Sequence, residues 1–329
     1  MADTDEYLPA ACEARTAFGL DDHALELVTI GENVTYRAAR RDADSFVLRL
    51  HRPGYHSLEE LDSERIWLAA LSAADISVPE PAAAPDGRFF VPVTVAEGDV
   101  RFAGLTRWRE GEVMADLQRT LDVPQSVSDP FAQLGELMGH MHDQAAGWDV
   151  PTDFVRHRLD ADGLLGEQPF WGRFWEVDEL TDDQKDRLSS ARTNAHARLV
   201  EYGEPDATFS VIHADLHLGN LLIDTAGRLS VIDFDDAGYG WHQYDMAVAL
   251  LHVRGTPDAD AAEQAFLEAY RRVRPIADDD LAWIPFFEAV RLMALIGWKG
   301  QRPEVRWPAS RFDDLVESAL AAATSLDLT

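Results

Sequence analysis

Residues 213–236, HADLHLGNLLIDTAGRLSVIDFDD, gather two histidines, five aspartates and one asparagine around a short apolar run. Three readings compete: a metal-hydrolase cluster, a phosphoryl-transfer site, or an acidic hairpin on an acidic protein. NLLID and RLSVID read as short strands separated by a turn at TAG. A hairpin of that length returns Asp233 to the end from which Asn220 departs. What these residues can do then depends on which of them share a face.

His213-x-Asp215-x-His217 has the period of a strand, which would point three zinc-type ligands one way. However, LHLGN contains a glycine and lies between two strands, so it reads as a loop, and no helical H-E-x-x-H partner occurs elsewhere. The phosphoryl-transfer reading explains more residues. It needs a carboxylate to orient and deprotonate a hydroxyl, and hard oxygen ligands for magnesium against nucleotide phosphates. Asp215 supplies the first, and Asn220 with Asp233 can share the metal.

Composition narrows the function classes. The 329-residue chain carries 59 acidic against 29 basic residues, a formal net charge of −30, and only two lysines, Lys185 and Lys299. Such a surface predicts no nucleic-acid and no membrane partner, since both need positive charge. Acid spread over the whole chain reads as a halophilic-type surface, so an acidic pocket alone says little about a substrate. Cys12 is the only cysteine, which leaves no thiolate zinc site or intrachain disulfide. The acidic MADTDEY start predicts no signal peptide, and no apolar run is read as long enough to span a bilayer, so a cytoplasmic protein is expected.

The first 108 residues read β-β-β-α-β-β after a short helix over 8–19. Strands precede Gly31–Asn33, follow it, and recur at Ser45–Leu50 after a turn near Asp42–Asp44. A helix runs on from Ser57, and two more strands occupy 88–108. Helices are predicted over 129–146, 244–254, 258–273, 278–298 and 309–325, with a long helical insertion at 150–205 whose segment 176–190 is charged and solvated. The fold class is therefore α+β and bilobal: a small β-rich lobe over 1–104, a hinge at 105–111, and a larger, mainly helical lobe over 112–329, with a cleft between the lobes.

HADLHLGN followed by IDFDDA resembles the aminoglycoside phosphotransferase and choline kinase superfamily, relatives of the protein kinases. "DFDDAGYGWHQYDMA" and "FVLRLHRPGYHS" look most like the branch of type II homoserine kinases and bacterial stress-response kinases. The resemblance implies a protein-kinase-like fold using ATP and Mg2+, with Asp215 as catalytic base and Asn220 and Asp233 as metal ligands. It implies that Asp245 braces the catalytic loop, that Arg49 contacts phosphate and that Glu64 pairs with it. The adenine would bond backbone near Arg107 and Arg109. Arg49 stands where protein kinases carry lysine, and arginine keeps the charge while adding a bidentate fork. IGENVTYR holds one glycine, so the phosphate loop is not Gly-rich. The expected acceptor is a hydroxyl of a small molecule: an aminoglycoside, amino alcohol or homoserine-like compound. The alternatives are a serine/threonine protein kinase of the stress-response type and a nucleotide-binding pseudokinase. His213 is expected to be structural, Asp235 and Asp236 either cation-binding or surface charge, and the aromatics of FWGRFW packing.

Overall fold

The computed structural model describes residues 4–41, 43–95, 99–116, 128–303 and 305–329. Asp42, at one end of the predicted turn, lies outside them. The chain forms two compact units. The first comprises residues 1–113, 150–155 and 221–232; the second comprises 114–149, 156–220 and 233–329.

The first unit is built on an antiparallel sheet of order β1-β2-β3-β5-β4, formed by β1 (Ala24–Ile30), β2 (Val34–Ala39), β3 (Phe46–Leu50), β4 (Phe90–Thr94) and β5 (Val100–Arg107). Alternation does the work: Val34, Tyr36 and Ala38 of β2 are buried while the residues between them are not. Helix α1 (Thr4–Ala17) lays Ala10, Ala11 and Ala14 into the same core, against Leu48, Leu50, Val91 and Ala103. Helix α2 (Leu58–Ala73) starts at a capping box in which the Ser57 hydroxyl accepts the Glu60 N–H and the Glu60 carboxylate accepts the Ser57 N–H. It buries Leu61, Trp67, Leu68 and Leu71. A second, three-stranded sheet joins β6 (Glu112–Val113), β8 (Leu221–Ile223) and β9 (Leu229–Val231). The predicted hairpin is thus present, turning at Gly227 with φ +80°.

The second unit is mainly helical. Helix α3 (Ser128–Gly147) packs against α7 (Ala259–Val273) so closely that a Cβ at Gly135 would lie 2.2 Å from the Phe266 carbonyl oxygen. Only glycine fits there. Strands β7 (Phe209–Ile212) and β10 (Gly238–Trp241) pair antiparallel and bracket the remaining functional loops. The insertion at 150–205 holds a short helix α4 (Ala161–Leu165) and a long helix α5 (Asp182–Tyr202). Its charged stretch is not wholly solvated: Val177, Leu180 and Leu188 point inward.

Helix α6 (His242–Leu251) is buried along almost its whole length. The helix expected over 278–298 is two: α8 (Asp278–Leu281) and α9 (Ile284–Gly300). Pro285 explains the break, because it lacks the N–H that would continue the ladder and suits a helix first turn. The stretch 278–300 averages apolar enough to cross a membrane, which corrects the reading that no run does so, yet more than half of it is buried inside the fold. Helix α10 (Ala309–Ser325) packs on α9.

Candidate active site

Residues 213–217 form no strand, which removes the geometry a three-ligand zinc face required; Leu218–Asn220 make one 3-10 turn. The loop is fixed from beneath by Asp245, fully buried on α6. Its Oδ2 accepts the His213 N–H at 3.0 Å and its Oδ1 the Ala214 N–H at 2.6 Å. His142 Nε2 lies 3.2 Å from the same Oδ2, and Tyr270 OH lies 3.0 Å from His142 Nδ1. Burial holds His142 neutral, near a pKa of about 3, and pushes Asp245 up to about 6 against the opposing pull of its neighbours. Ala214 adopts φ 66°, a left-handed conformation costly for alanine, and the Asp245 bonds maintain it.

Asp215 follows that bend. Asn220 donates Nδ2–H to its carbonyl oxygen at 2.9 Å and to its Oδ2 at 3.1 Å. Arg291, from the middle of α9, bonds its Oδ1. Burial raises the Asp215 pKa to about 7; Arg291 pulls it down, while the Asp236 and Asp233 charges push it up. Those two couplings bring Asp233 into the same electrostatic neighbourhood. Asp233 itself is exposed, at φ 66°. Because the Asn220 amide nitrogen points at Asp215, its oxygen is turned the other way, as a hard cation requires. One amide oxygen and one exposed carboxylate fit a magnesium ion that keeps its remaining positions for phosphates and water.

Residues 27–279, well over half of the chain, match the phosphotransferase enzyme family. The chain belongs to that family. A solved microcompartment-associated aminopropanol kinase is 30% identical, with a TM-score of 0.81 over 96% of this chain and 95% of its own. An amicoumacin kinase solved with AMP-PNP, Ca2+ and Ami is 20% identical, with a TM-score of 0.73 over 92% and 88%. The homoserine kinase of Methylobacillus flagellatus is 26% identical over 270 residues, 81% of this chain and 75% of that protein. The enzyme is a kinase that phosphorylates a hydroxyl of a small molecule, with the antiparallel first unit and helical second unit of the protein-kinase-like fold.

In this phosphotransferase Arg49 lies half-buried on β3, opposite Thr35 and Gly104, and Glu64 lies half-buried on α2. Arg107 closes β5, its N–H donated to the Glu80 carbonyl at 2.8 Å. The Arg109 guanidinium is occupied locally, by the Val78 carbonyl and the Glu80 carboxylate, each at 2.9 Å. Both arginines therefore brace the 78–80 segment.

His213 is fully buried, and its Nδ1 accepts the Asp215 N–H at 3.3 Å. His217 accepts the Gly219 N–H at 2.9 Å and stays neutral, near a pKa of about 3, mainly through burial. Asp235 and Asp236 are buried, so the surface-charge reading falls. The FWGRFW aromatics pack: Trp171 and Phe174 are buried, and Phe170 stacks on His157 at 3.7 Å.

Arg156 was not foreseen. It hydrogen-bonds the backbone carbonyls of Phe234, Asp235 and Ala237, holding the loop that follows Asp233. Arg291 was missed too. Its signal was a lone arginine in the apolar run between Glu288 and Lys299.

Proposed function

We propose that this phosphotransferase moves the γ-phosphoryl group of ATP to the hydroxyl of a small amino alcohol, with Asp215 as the group that orients and deprotonates that hydroxyl. The observation that supports it best is the state of Asp215. Its side chain is 25% exposed, on a loop whose backbone is bonded to a buried carboxylate. A base so held meets a substrate proton without first reorganising. Asn220 and Asp233 hold magnesium, which when bound neutralises charge on the phosphates. Arg49 contacts phosphate, Glu64 fixes its guanidinium, and backbone near Arg107 and Arg109 receives the adenine. A cytoplasmic location suits an enzyme that consumes ATP. The amino-alcohol choice rests on the likeness to aminopropanol kinase.

The test is ATP consumption with magnesium against amino alcohols, homoserine, aminoglycosides and generic proteins. Asp215→Asn is expected to lower kcat about 1,000-fold while leaving nucleotide affinity within about threefold. Unchanged turnover in that variant removes the base. Phosphorylation of protein serines and threonines alone removes the small-molecule acceptor.

A further inference from the structure

Helix α9 carries one charged residue between Glu288 and Lys299, and buries it to 7% exposure. A guanidinium is costly to desolvate unless it meets an anion. The anion it meets is Asp215: Arg291 Nη2 bonds Oδ1. The guanidinium carbon sits 5.5 Å from the centre of the Trp171 indole, and Trp171 stacks in turn on the buried Tyr244, with centroids 6.0 Å apart and planes 11° from parallel. Arg291 is the arginine that pairs with Asp215, and HADLHLGN contains no lysine or arginine. The catalytic loop thus takes its positive charge from a helix 76 residues further along the chain.

The two oxygens of the carboxylate are made unequal by this arrangement. Oδ1 takes a charge-assisted bond from Arg291, whereas Oδ2 takes a neutral amide bond from Asn220 at 3.1 Å. The oxygen bonded to the cation is the weaker base. We propose that Arg291 is a positioning residue for phosphoryl transfer, holding Asp215 by Oδ1 so that Oδ2 is presented to the acceptor hydroxyl. The proposal rests on Asp215 being the base. The acceptor proton passes to Oδ2 as the acceptor oxygen bonds the γ-phosphorus. The bond from that phosphorus to the bridging oxygen breaks, leaving ADP. Arg291 exchanges no bond in the step.

The experiment compares Arg291→Ala and Arg291→Lys with the parent on an acceptor the parent uses, after thermal melts show which variants fold. Arg291→Ala is expected to lose about 100-fold in kcat with an acceptor KM within about threefold. Guanidinium chloride at about 20 mM should restore at least about tenfold, because the free ion can occupy the vacated place between Trp171 and Oδ1. Damage to packing alone would give no such rescue. A kcat at or above the parent's overturns the proposal, since the pair would then restrain the base. So does a loss in folded Arg291→Ala that guanidinium does not reverse. Should Arg291→Ala not fold, Arg291→Lys decides: it must lower kcat with KM kept, and parent-like kcat overturns the proposal.

Failure of the functional reading shows separately, as absence of turnover in the parent. In that case the Asp215 carboxyl 13C resonance is followed in the folded variant. A saturable shift on adding guanidinium supports the Arg291–Asp215 hold, and no shift overturns it.

Discussion

Asp215 and Asp224 stand nine residues apart in one segment, and their surroundings drive them in opposite directions. Asp224 closes the exposed hairpin turn. It accepts the N–H groups of Ala226 and Arg228 at 2.8 and 3.0 Å and the Arg228 Nε–H at 2.8 Å, and these bonds hold its pKa below the ordinary value. Asp215 is part-buried among other acids, and desolvation raises it to about 7 despite Arg291. The same pair of residue types, aspartate with arginine, makes a turn with a lowered pKa in one place and the proposed base, with a raised pKa, in the other. What differs is desolvation and the backbone that holds each carboxylate.

The sharpest way to break that comparison is to remove the support under the loop at 213–217. Asp245→Ala leaves the His213 and Ala214 N–H groups and His142 buried without their acceptor. Each such group costs on the order of 1–3 kcal/mol. A loss of at least about 3 kcal/mol in urea unfolding is expected, together with loss of turnover. An unchanged midpoint would mean that the loop holds its shape without Asp245.

Acidification comes next. His142 and His217 are neutral in the fold, near about 3 against 6.5 when unfolded, and His242 and His252 are lowered as well. A histidine with a depressed folded pKa makes the unfolded chain bind more protons between those values, so stability falls as the pH drops from 6.5 towards 3. Asp215 and Asp245, raised to about 7 and 6, act in the opposite sense, losing stability as pH rises from about 4. Four histidines outweigh two carboxylates. The urea midpoint should therefore decline steadily below pH 6.5; a midpoint constant down to pH 4 would show that these histidines take up protons without unfolding.

Much of this was legible in the sequence, for a physical reason. Strand alternation in VTYRAA, the glycine turn of the hairpin and the spacing of Asp215, Asn220 and Asp233 are local, and local periodicity survives into the fold. Arg291 was not legible, because its partner lies 76 residues away. Asp235 and Asp236 stayed open between cation binding and surface charge for a related reason. Acid on so acidic a chain looks solvated, and only tertiary packing buries these two. Arg156 could not be anticipated at all, since a side chain that bonds backbone carbonyls leaves no residue-type signature at its target.

A smaller effect probes the bend before Asp215. Ala214 holds φ 66°, where glycine avoids the Cβ clash at the cost of unfolded-state entropy. Ala214→Gly should therefore stabilise by about 0.5 kcal/mol, read from urea unfolding. A destabilisation of similar size would mean that the Asp245 bonds set a bend without strain.

The smallest effect belongs to the other aspartate. Asp224→Ala removes a turn acceptor and an exposed ion pair with Arg228, whose guanidinium remains solvated. Surface pairs of this kind contribute little, and less as salt rises. The melting temperature should stay within about 1 °C of the parent, and kcat should be unchanged. A marked fall in kcat would show that the turn at Asp224 helps to set Asp233, which follows Asn220 by thirteen residues along the hairpin strands β8 and β9. The contrast between the two aspartates would then be one of degree, with the exposed turn acting on the chemistry through the register Leu221–Val231 that it closes.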